Sequence, residues 1–470
     1  LFKSETFNNW GLGIDVGGTF TDLCARHEKT GQTFIHKRPS TPEDPSKAIM
    51  DGIKEISLKI NFPLNSLIRV AHGTTVATNA LLQRKGASLA LVTTKGFRDL
   101  TEIGRQIRPK VYDLQIDAVP PIIPRELRFE IDERVDANGK VIKKIKNDEV
   151  QKLIKKISLL KNLDGVAICF LFSFVNSSNE KKIYQFLKKF IPNLNVSISS
   201  DVQPEFREFE RFSTTIINSF LQPSVSSYMT NLKEKIQKHV KQSNLVIFQS
   251  NGGLTSVDIA TKYPVRMALS GPAAGVVGAA NISQKSGYKN IITLDMGGTS
   301  TDVCLIQNAK ANMTNLRDIA GFRLRLPMVD INTVGAGGGS IAYIGKDNLM
   351  KVGPESAGAT PGPACYGLGG NFPTVSDANL VLGRLPEDLA SGGMKLDKIK
   401  AIKAISKLAK KIHLSVEEIA LGIVKIATSN MTRAIRAVSV ERGYDPRNFV
   451  LMPFGGAGGL HAAYLAASLE

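Results

Sequence analysis

The stretch DVGGTFTD at residues 15–22 returns as DMGGTSTD at residues 295–302, identical at six of its eight positions. In each copy an apolar run precedes an aspartate, and two glycines follow, so the backbone can turn tightly with no side chain in the way of an approaching anion. A single Asp-Gly-Gly turn is common in structural hairpins. Two matching copies in one chain indicate that both copies have the same function. We predict two phosphate-binding hairpins that clasp one polyphosphate.

The residue types in the two hairpins predict a division of roles. Carboxylates are preferred ligands of Mg²⁺, so Asp15 and Asp295 are expected to hold a hydrated magnesium ion beside the phosphates. Successive backbone amides and hydroxyls form anion-binding concavities. The residues expected to bind phosphate are Gly17, Gly18, Thr19, Thr21, Gly297, Gly298, Thr299 and Thr301. A further glycine-rich loop lies at 334–340 and includes Gly337 and Gly338. A glycine-rich loop alone is weak evidence for phosphate binding, but the two hairpins strengthen this interpretation.

A second kind of site is predicted at residues 70–79, VAHGTTVATN. The pattern indicates a strand, a Gly-Thr-Thr turn and a helix, and a free helix N-terminus suits a polar or anionic substrate. Candidate residues on the substrate side are His72, Thr74, Thr75 and Asn79. The alternative is a structural turn whose polar groups are hydrogen-bonded within the protein, with His72 as a packing residue.

For two other polar residues, Asp377 and His461, the sequence allows two different roles each. Asp377 stands at a predicted helix start, where capping is the first interpretation and a cleft role the second. His461 follows the glycine run FGGAGG at 454–459 and is either a neighbour of a ligand or an ordinary residue near the start of a helix expected from about Leu460.

Composition limits the class of protein. At 470 residues with 43% apolar content, the chain is expected to fold into two or three domains. No apolar run is long enough for a membrane span and no targeting segment is evident, so a cytoplasmic protein is expected. The four scattered cysteines suit reduced thiols. The net charge of +18 invites nucleic-acid binding, but the lysines follow solvent faces of predicted helices at 143–161 and 395–411, so no nucleic-acid partner is expected.

Strands and helices are predicted to alternate between residues 147 and 199, which favours an α/β fold with a largely parallel sheet. A helix is expected from 147 to 160, a strand from 165 to 172, a helix from 179 to 190 and a strand from 196 to 199. Later, the predicted helices cover 213–221, 225–241 and 395–443. The predicted domains are residues 1–200 and 201–470.

The two hairpins resemble those of the actin, sugar kinase and Hsp70 superfamily. That resemblance implies two actin-like (ribonuclease H-like) lobes, each a mixed sheet flanked by helices, around a cleft that binds ATP. The loop at 454–459 resembles the adenosine motif of the same superfamily. It implies that Gly455, Gly456, Gly458 and Gly459 approach adenosine.

Flanking motifs narrow the resemblance to the hydantoinase A / 5-oxoprolinase family. They are VAHGTTVATNALLQRKG, PEFREFERFSTTIINSFLQP, SGPAAGVVGA, ITLDMGGTSTDV, VDINTVGAGGGSIA, TPGPACYG, SDANLVLGRL and FGGAGGLHAA. Gly459 stands where the family often has proline. Members of the family continue into a further C-terminal domain. We therefore expect that this sequence is truncated at Glu470, within a helix and before that domain.

The resemblance implies an ATP-dependent hydrolase of cyclic amides that phosphorylates the carbonyl oxygen of its substrate to drive ring opening. ATP and Mg²⁺ are the implied cofactors, and the implied partners are a cyclic amide or carbonyl compound and a second, metal-bearing hydantoinase B-type subunit in an oligomer. Two rivals remain open: the ATP-using subunit of an acetone- or acetophenone-type carboxylase, and a non-catalytic nucleotide-binding scaffold.

Overall fold

The structure is a computed structural model that describes residues 10–17, 20–41, 43–107, 115–117, 119–240, 243–389 and 394–470. The α-helices are α1 Pro45–Lys59, α2 Val76–Leu82, α3 Leu100–Ile103, α4 Asn147–Ser158, α5 Ser178–Phe190, α6 Ser199–Val202, α7 Glu208–His239, α8 Val257–Lys262, α9 Ser270–Lys285, α10 Val375–Val381, α11 Lys398–Ile412, α12 Val416–Val438 and α13 Gly455–Leu469. No helix in these ranges is both long and apolar enough to cross a membrane.

The strands in the first half of the chain are β1 Trp10–Val16, β2 Phe20–His27, β3 Thr33–Pro39, β4 Leu67–Thr74, β5 Leu89–Thr94, β6 Arg128–Ile131, β7 Arg134–Val135, β8 Val141–Lys143, β9 Gly165–Cys169 and β10 Asn195–Ile198. The later strands are β11 Asn244–Phe248, β12 Leu254–Ser256, β13 Ile291–Met296, β14 Thr301–Gln307, β15 Lys310–Ala311, β16 Met313–Thr314, β17 Arg317–Ile319, β18 Phe322–Leu324, β19 Met328–Val329, β20 Ile331–Val334, β21 Ser340–Ile344, β22 Met350–Ser356, β23 Asp388–Leu389, β24 Met394–Lys395 and β25 Val450–Phe454.

Two compact units divide the chain, and each is assembled from separate segments. Unit 1 takes its residues from Leu1–Gly11, Pro63–Ser270 and Thr314–Met328, and unit 2 from Leu12–Phe62, Gly271–Met313 and Val329–Glu470. Both hairpins, predicted in different domains, fall in unit 2, because residues 12–62 cluster with the later segments instead of with the residues that follow them. The compact units are therefore not continuous halves of the sequence.

Unit 1 contains a parallel sheet in the order β10-β9-β5-β6. Its core is formed by apolar residues of these strands and of α4 and α5, such as Val92, Ile168, Leu153 and Ile183. The alternation predicted for residues 147–199 is confirmed, because α4, β9, α5 and β10 follow each other in that order. The lysines of α4 stand on its solvent face, while Val150, Leu153, Ile154 and Ile157 are buried.

Unit 2 contains a mixed sheet in which β13 pairs with β14 antiparallel and with β25 parallel, and β20 pairs with the far side of β14. Side chains of this sheet alternate between two cores, as a strand period of two residues requires. Ile291, Cys304 and Ile306 pack with the apolar face of α9. Ile292, Leu294 and Val303 pack with α10 to α13. The predicted α/β class, with mixed sheets flanked by helices, is confirmed.

Three helix boundaries differ from the prediction. Helix α7 continues through Pro223, where two helices were expected; much of its face on both sides of the proline is buried, and this packing outweighs the lost backbone hydrogen bond. The helical stretch at 395–443 is interrupted at His413, which has a positive φ of 55°. Helix α13 begins at Gly455 and not near Leu460, so the glycine run forms its first turn.

Candidate functional site

The two predicted hairpins are closed by the same backbone hydrogen bond across the turn. The Gly17 amide donates to the Phe20 carbonyl oxygen at 3.0 Å, and the Gly297 amide donates to the Ser300 carbonyl oxygen at 3.0 Å. Asp15 and Asp295 are each the last residue but one of the strand that leads into the turn, β1 and β13. Gly18 and Thr19 lie outside the described residues. In the second copy, the tip at Gly298 and Thr299 is exposed.

The duplication extends to a third strand in each copy. Strand β3 pairs with β2 so that Arg38 faces Thr21, and β20 pairs with β14 so that Val334 faces Thr301. Two residues further on, Ser40 and Ala336 occupy equivalent places, and each is the hydrogen-bond partner of the hydroxyl of Thr21 or Thr301. The Ser40 hydroxyl also donates to the Gly17 carbonyl oxygen at 2.8 Å. These contacts brace the turns.

The hydroxyls of Thr21 and Thr301 are thus engaged inside the protein, and both residues are fully buried. Their predicted phosphate contacts stay predictions, and the observed contacts give both threonines a structural reason to be present. Thr299 lies at the exposed tip of the second hairpin. Ser40 was missed in the sequence, because its link to the hairpin runs across paired strands and leaves no local pattern.

The pKa values of the two aspartates are raised by burial and by other carboxylates. The pKa of Asp15 is raised to about 6, first by burial and then by the Asp22 carboxylate, while Lys37 opposes the shift. Burial also raises the pKa of Asp295 to about 7, with contributions from the carboxylates of Asp302, Asp15 and Asp22. Asp15 is surrounded by protein atoms yet keeps an exposed surface, so solvent weakens the effect of burial there. Asp15 is thus one of the charges that raise the pKa of Asp295.

Helix α9 passes both carboxylates on one face. A methyl group added to Gly271 would lie 3.3 Å from Asp15 Oδ1, and one added to Gly275 would lie 3.8 Å from Asp295 Oδ2. Residues four apart are neighbours on one side of a helix, about 6 Å from each other along the axis. The small residues at the start of α9 therefore leave room for the two hairpin carboxylates.

The loop at 334–340 packs against the second hairpin. The Gly338 amide donates to the Gly297 carbonyl oxygen at 3.0 Å, and the Gly339 amide donates to the Gly298 carbonyl oxygen at 2.6 Å. A methyl group at Gly337 would lie 2.6 Å from the carbonyl carbon of Thr299. Glycine at 337 is thus required by close contact with the turn itself. The predicted phosphate role of Gly337 and Gly338 stays a prediction.

The glycines at the start of α13 divide into two pairs. A methyl group at Gly455, whose φ is +78°, would lie 2.3 Å from Asp295 Oδ1, and one at Gly458 would lie 3.2 Å from the Leu294 carbonyl oxygen. Nothing lies within 4 Å of a methyl group at Gly456 or Gly459. Gly455 and Gly458, two of the residues predicted to approach adenosine, therefore allow α13 to pack closely on β13. Gly456 and Gly459, the other two, face open space.

The residues predicted on the substrate side belong to unit 1. The predicted strand, turn and helix are present as β4 and α2, but His72 is fully buried and its Nε2 lies 2.7 Å from the Tyr228 hydroxyl. The Thr74 carbonyl oxygen accepts from the Ser270 hydroxyl at 3.1 Å. Thr75 is half-buried and Asn79 is exposed. This geometry favours the packing interpretation for His72 and leaves Thr75 and Asn79 accessible.

Contacts in unit 2 decide between the alternative roles of Asp377 and His461. Asp377 forms a capping box with Thr374 at the start of α10, which confirms the capping interpretation. His461 is fully buried on α13, with Nε2 3.4 Å from Asn379 Nδ2 and Nδ1 3.5 Å from Thr428 Oγ1. Burial, and then Arg384, lowers the pKa of His461 to about 4. A neutral buried histidine that joins three helices is a packing residue.

The two hairpin aspartates have the chemistry to hold a magnesium ion. Asp295 has only carboxylates among the charges that shift its pKa, and such uncompensated negative charge suits a cation. Within the described ranges, no three His, Cys, Asp or Glu side chains are grouped to hold a metal. Mg²⁺ is commonly held by one or two carboxylates with phosphate oxygens and waters, so two aspartates are a sufficient protein contribution.

Comparison with known proteins places this chain in a family. Residues 11–191 match the hydantoinase/oxoprolinase N-terminal region and residues 211–470 match hydantoinase/oxoprolinase. The caprolactamase subunit alpha of Pseudomonas jessenii is 38% identical over 97% of this chain and 67% of its own length. The acetophenone carboxylase gamma subunit of Aromatoleum aromaticum is 34% identical over 100% of this chain and 66% of its own. The 5-oxoprolinase of Dictyostelium discoideum is 34% identical over 100% and 41%.

Two solved structures share the fold over nearly the whole chain. A nucleotide-free acetone carboxylase aligns with a TM-score of 0.85 and 28% identity, over 98% of this chain and 67% of its own. The ATP-dependent caprolactamase from Pseudomonas jessenii aligns with a TM-score of 0.85 and 36% identity over the same shares. This chain thus spans about two thirds of the length of these proteins. With matches to both family regions and relatives above 30% identity, the chain belongs to the hydantoinase/oxoprolinase family.

Proposed function

We propose that this chain is the ATP-using part of an enzyme that hydrolyses a cyclic amide, with Mg²⁺ as its metal ion. The observation that carries the proposal is the pair of matching hairpins in unit 2, with both carboxylates along α9, in a chain 38% identical to a caprolactamase subunit. Caprolactam and 5-oxoproline, the compounds in the names of two relatives, are both cyclic amides. A cytoplasmic location is part of the proposal.

Each group of residues has a defined task in the proposed reaction. The amide oxygen would accept the γ-phosphoryl group of ATP, with ADP as the leaving group. Water would then add to the activated carbonyl carbon, the C–N bond would break as the nitrogen takes a proton, and hydrolysis would release the phosphate from the ring-opened product. The backbone amides at the hairpin tips would bind and orient the phosphates, and Asp15 and Asp295 would hold hydrated Mg²⁺. The open backbone at Gly456 and Gly459 would lie along the nucleoside. Thr75 and Asn79 are the accessible residues proposed for the substrate.

A larger assembly is also proposed. Two of the relatives are named as subunits, and we expect this chain to work with a second, metal-bearing subunit of the hydantoinase B type. Copurification with the product of a neighbouring reading frame would support this part of the proposal. A chain that turns over cyclic amides with no added protein would contradict it.

The test is phosphate release from ATP, measured with and without candidate substrates, for the chain alone and with its neighbouring gene product. We expect stimulation by 5-oxoproline, a lactam or a hydantoin, together with the ring-opened product in a mass spectrum. Stimulation only by ketones with bicarbonate would support a carboxylase instead. ATP binding that no substrate converts into turnover would support a scaffold. Asp15→Asn serves as the inactive control.

A further inference from the structure

Unit 1 contains a cavity of about 80 Å³ at the N-terminal half of α7. Its described lining residues come from α7, from α3, from the segment before β6 and from the hairpin formed by β17 and β18. All of them belong to unit 1. Since one water molecule needs about 10 to 15 Å³, the cavity has room for roughly six waters, or for a small ring compound of similar size.

Most of the cavity wall is apolar. Phe209, Ile216 and Ile217 of α7 line it, and their spacing puts them on one side of the helix. Phe322 of β18 adds a second aromatic ring, and the Arg84 guanidinium carbon lies 5.1 Å from the centre of that ring. Small-molecule sites in proteins are typically concave and mostly apolar, with a few polar groups that fix the orientation of the ligand. The wall of this cavity matches that description.

Direct contacts join the separate parts of the wall. The Arg325 backbone amide, directly after β18, donates to the Thr214 hydroxyl of α7 at 2.9 Å. A methyl group added to Gly321, whose φ is +82°, would lie 2.5 Å from Val119 Cγ2, so glycine allows the hairpin turn to approach that segment closely. The cavity is therefore formed by packing within unit 1, which lowers the ordering cost of binding a ligand there.

Three polar residues complete the described wall: Thr101, Ser213 and Arg323. Arg323 donates from Nε to Asp318 Oδ1 at 2.7 Å and from Nη2 to Asp318 Oδ2 at 2.5 Å, so an acid already balances its charge. The hydroxyls of Thr101 and Ser213 carry no charge, and each can both donate and accept a hydrogen bond. These polar groups of the described wall suit a neutral amide better than a carboxylate.

We propose that this cavity binds a neutral lactam, with the methylene ring against the apolar wall and the amide at the hydroxyls of Thr101 and Ser213. The choice of ligand rests on the proposed function, in which cyclic amides are the substrates. The site is additional to Thr75 and Asn79, which that proposal assigns to the reacting substrate. A carboxylate on the ring, as in 5-oxoproline, would lose its hydration beside an arginine that is already paired, and such a loss is costly.

The test is NMR of the full chain labelled with carbon-13 at its isoleucine methyl groups, because the signals of Ile216 and Ile217 report on the cavity directly. The ligands titrated are ε-caprolactam, 2-pyrrolidinone and 5-oxoproline. We expect the Kd of 2-pyrrolidinone to be about tenfold above that of caprolactam, because it buries two fewer methylene groups. 5-Oxoproline is 2-pyrrolidinone with an added carboxylate, and its Kd should be at least about tenfold higher again.

Two matched variants locate the ligand. Ser213→Leu puts a larger apolar side chain into the wall and removes a hydroxyl, so we expect the Kd for caprolactam to rise at least about tenfold. Ser227→Leu, at an exposed position of the same helix, should bind caprolactam like the wild type. Thermal melts show whether both variants are folded. The ligand series on the wild type tests the proposal even if Ser213→Leu fails to fold.

The outcomes separate this proposal from the proposed function. Signals of Ile216 and Ile217 that no lactam shifts would overturn it, because the cavity would then hold only water. Equal affinities for 2-pyrrolidinone and 5-oxoproline, or an unchanged Kd in folded Ser213→Leu, would also overturn it. Each of these results leaves the proposed function standing if lactams stimulate ATP turnover. Saturable shifts of both signals in a chain whose turnover no lactam stimulates would support the cavity and contradict the proposed function.

Discussion

Asp15 is the residue on which proposed turnover depends most directly. It keeps an exposed surface, so replacing its carboxylate removes little packing. We expect Asp15→Asn to lower ATP turnover by at least about a hundredfold, as for other losses of groups that organise a transition state, with a melting temperature close to that of the wild type. The measurement is phosphate release beside a thermal melt. Substantial turnover by the variant would show that the metal assignment is wrong.

Asp295 makes a prediction about pH and stability. Its pKa is raised from 3.8 to about 7 in the folded protein, so folding favours the protonated acid. The free energy of unfolding should therefore fall as pH rises from about 4 to about 7, and stay lower above that range. Asp295→Asn removes this penalty. We expect the variant to gain about 1 to 2 kcal/mol relative to the wild type between pH 4.5 and pH 8, a value reduced for the partial solvent contact of the group.

Urea titrations of the nucleotide-free protein in EDTA at both pH values measure this difference. Asp302→Asn is a useful second variant, because removing that neighbouring charge should give a smaller change in the same direction. A wild type and an Asp295→Asn variant that keep the same difference in stability at both pH values would contradict the raised pKa.

At the scale of elements, the start of α13 offers a matched pair of substitutions. Gly455→Ala would place a methyl group 2.3 Å from Asp295 Oδ1 at a φ of +78°. We expect it to destabilise the protein by about 2 to 4 kcal/mol and to displace the second hairpin. Gly456→Ala meets nothing within 4 Å, and its stability should stay within about 1 kcal/mol of the wild type.

The same pair tests where the nucleoside lies. If the backbone at Gly456 contacts adenosine, Gly456→Ala should weaken nucleotide binding in a titration while the melting temperature stays unchanged. Equal affinity in wild type and variant would remove Gly456 from the site. Gly455→Ala cannot answer this question, because its effect on Asp295 alters the hairpin as well.

Local patterns predicted the elements whose structure is decided locally. The two turns follow from an aspartate and two glycines, and the capping box at Asp377 follows from a short polar motif. Long-range packing decided the rest. Pro223 predicted a break in α7, but burial along the helix keeps it continuous. The glycine run at 454–459 predicted a loop before the helix, whereas α13 already begins at Gly455, with Gly455 close to Asp295 and Gly458 close to Leu294. The link between Thr21 and Ser40 also depends on strand pairing.

At the scale of the whole molecule, the compact units cut across the predicted domains at 1–200 and 201–470. Unit 1 takes most of its residues from Pro63–Ser270, so a boundary at 200 would separate β9 and β10 from α7. That helix contributes Phe212 and Arg211, both fully buried, to unit 1. Their removal would expose the sheet and leave buried polar groups without partners.

Arg211 shows why α7 is needed. Its guanidinium donates to the Phe170 carbonyl oxygen at 2.8 Å, to the Ser199 hydroxyl at 3.1 Å and to both carboxylate oxygens of Glu208 at 2.9 Å. Breaking a buried ion pair by removing one partner typically costs about 3 to 5 kcal/mol, which is comparable to the whole stability of a small domain. The sheet of unit 1 therefore depends on a helix that follows it in sequence.

We therefore expect a fragment of residues 63–270 to unfold cooperatively in a thermal melt followed by circular dichroism, and a fragment of residues 63–200 to show no cooperative transition. Within the longer fragment, Arg211→Met should lower stability by about 3 kcal/mol or more. Lys238→Met, near the exposed end of the same helix, should change it by less than about 0.5 kcal/mol. A shorter fragment that melts as cooperatively as the longer one would place the structural boundary at 200, because its sheet would then be stable without α7.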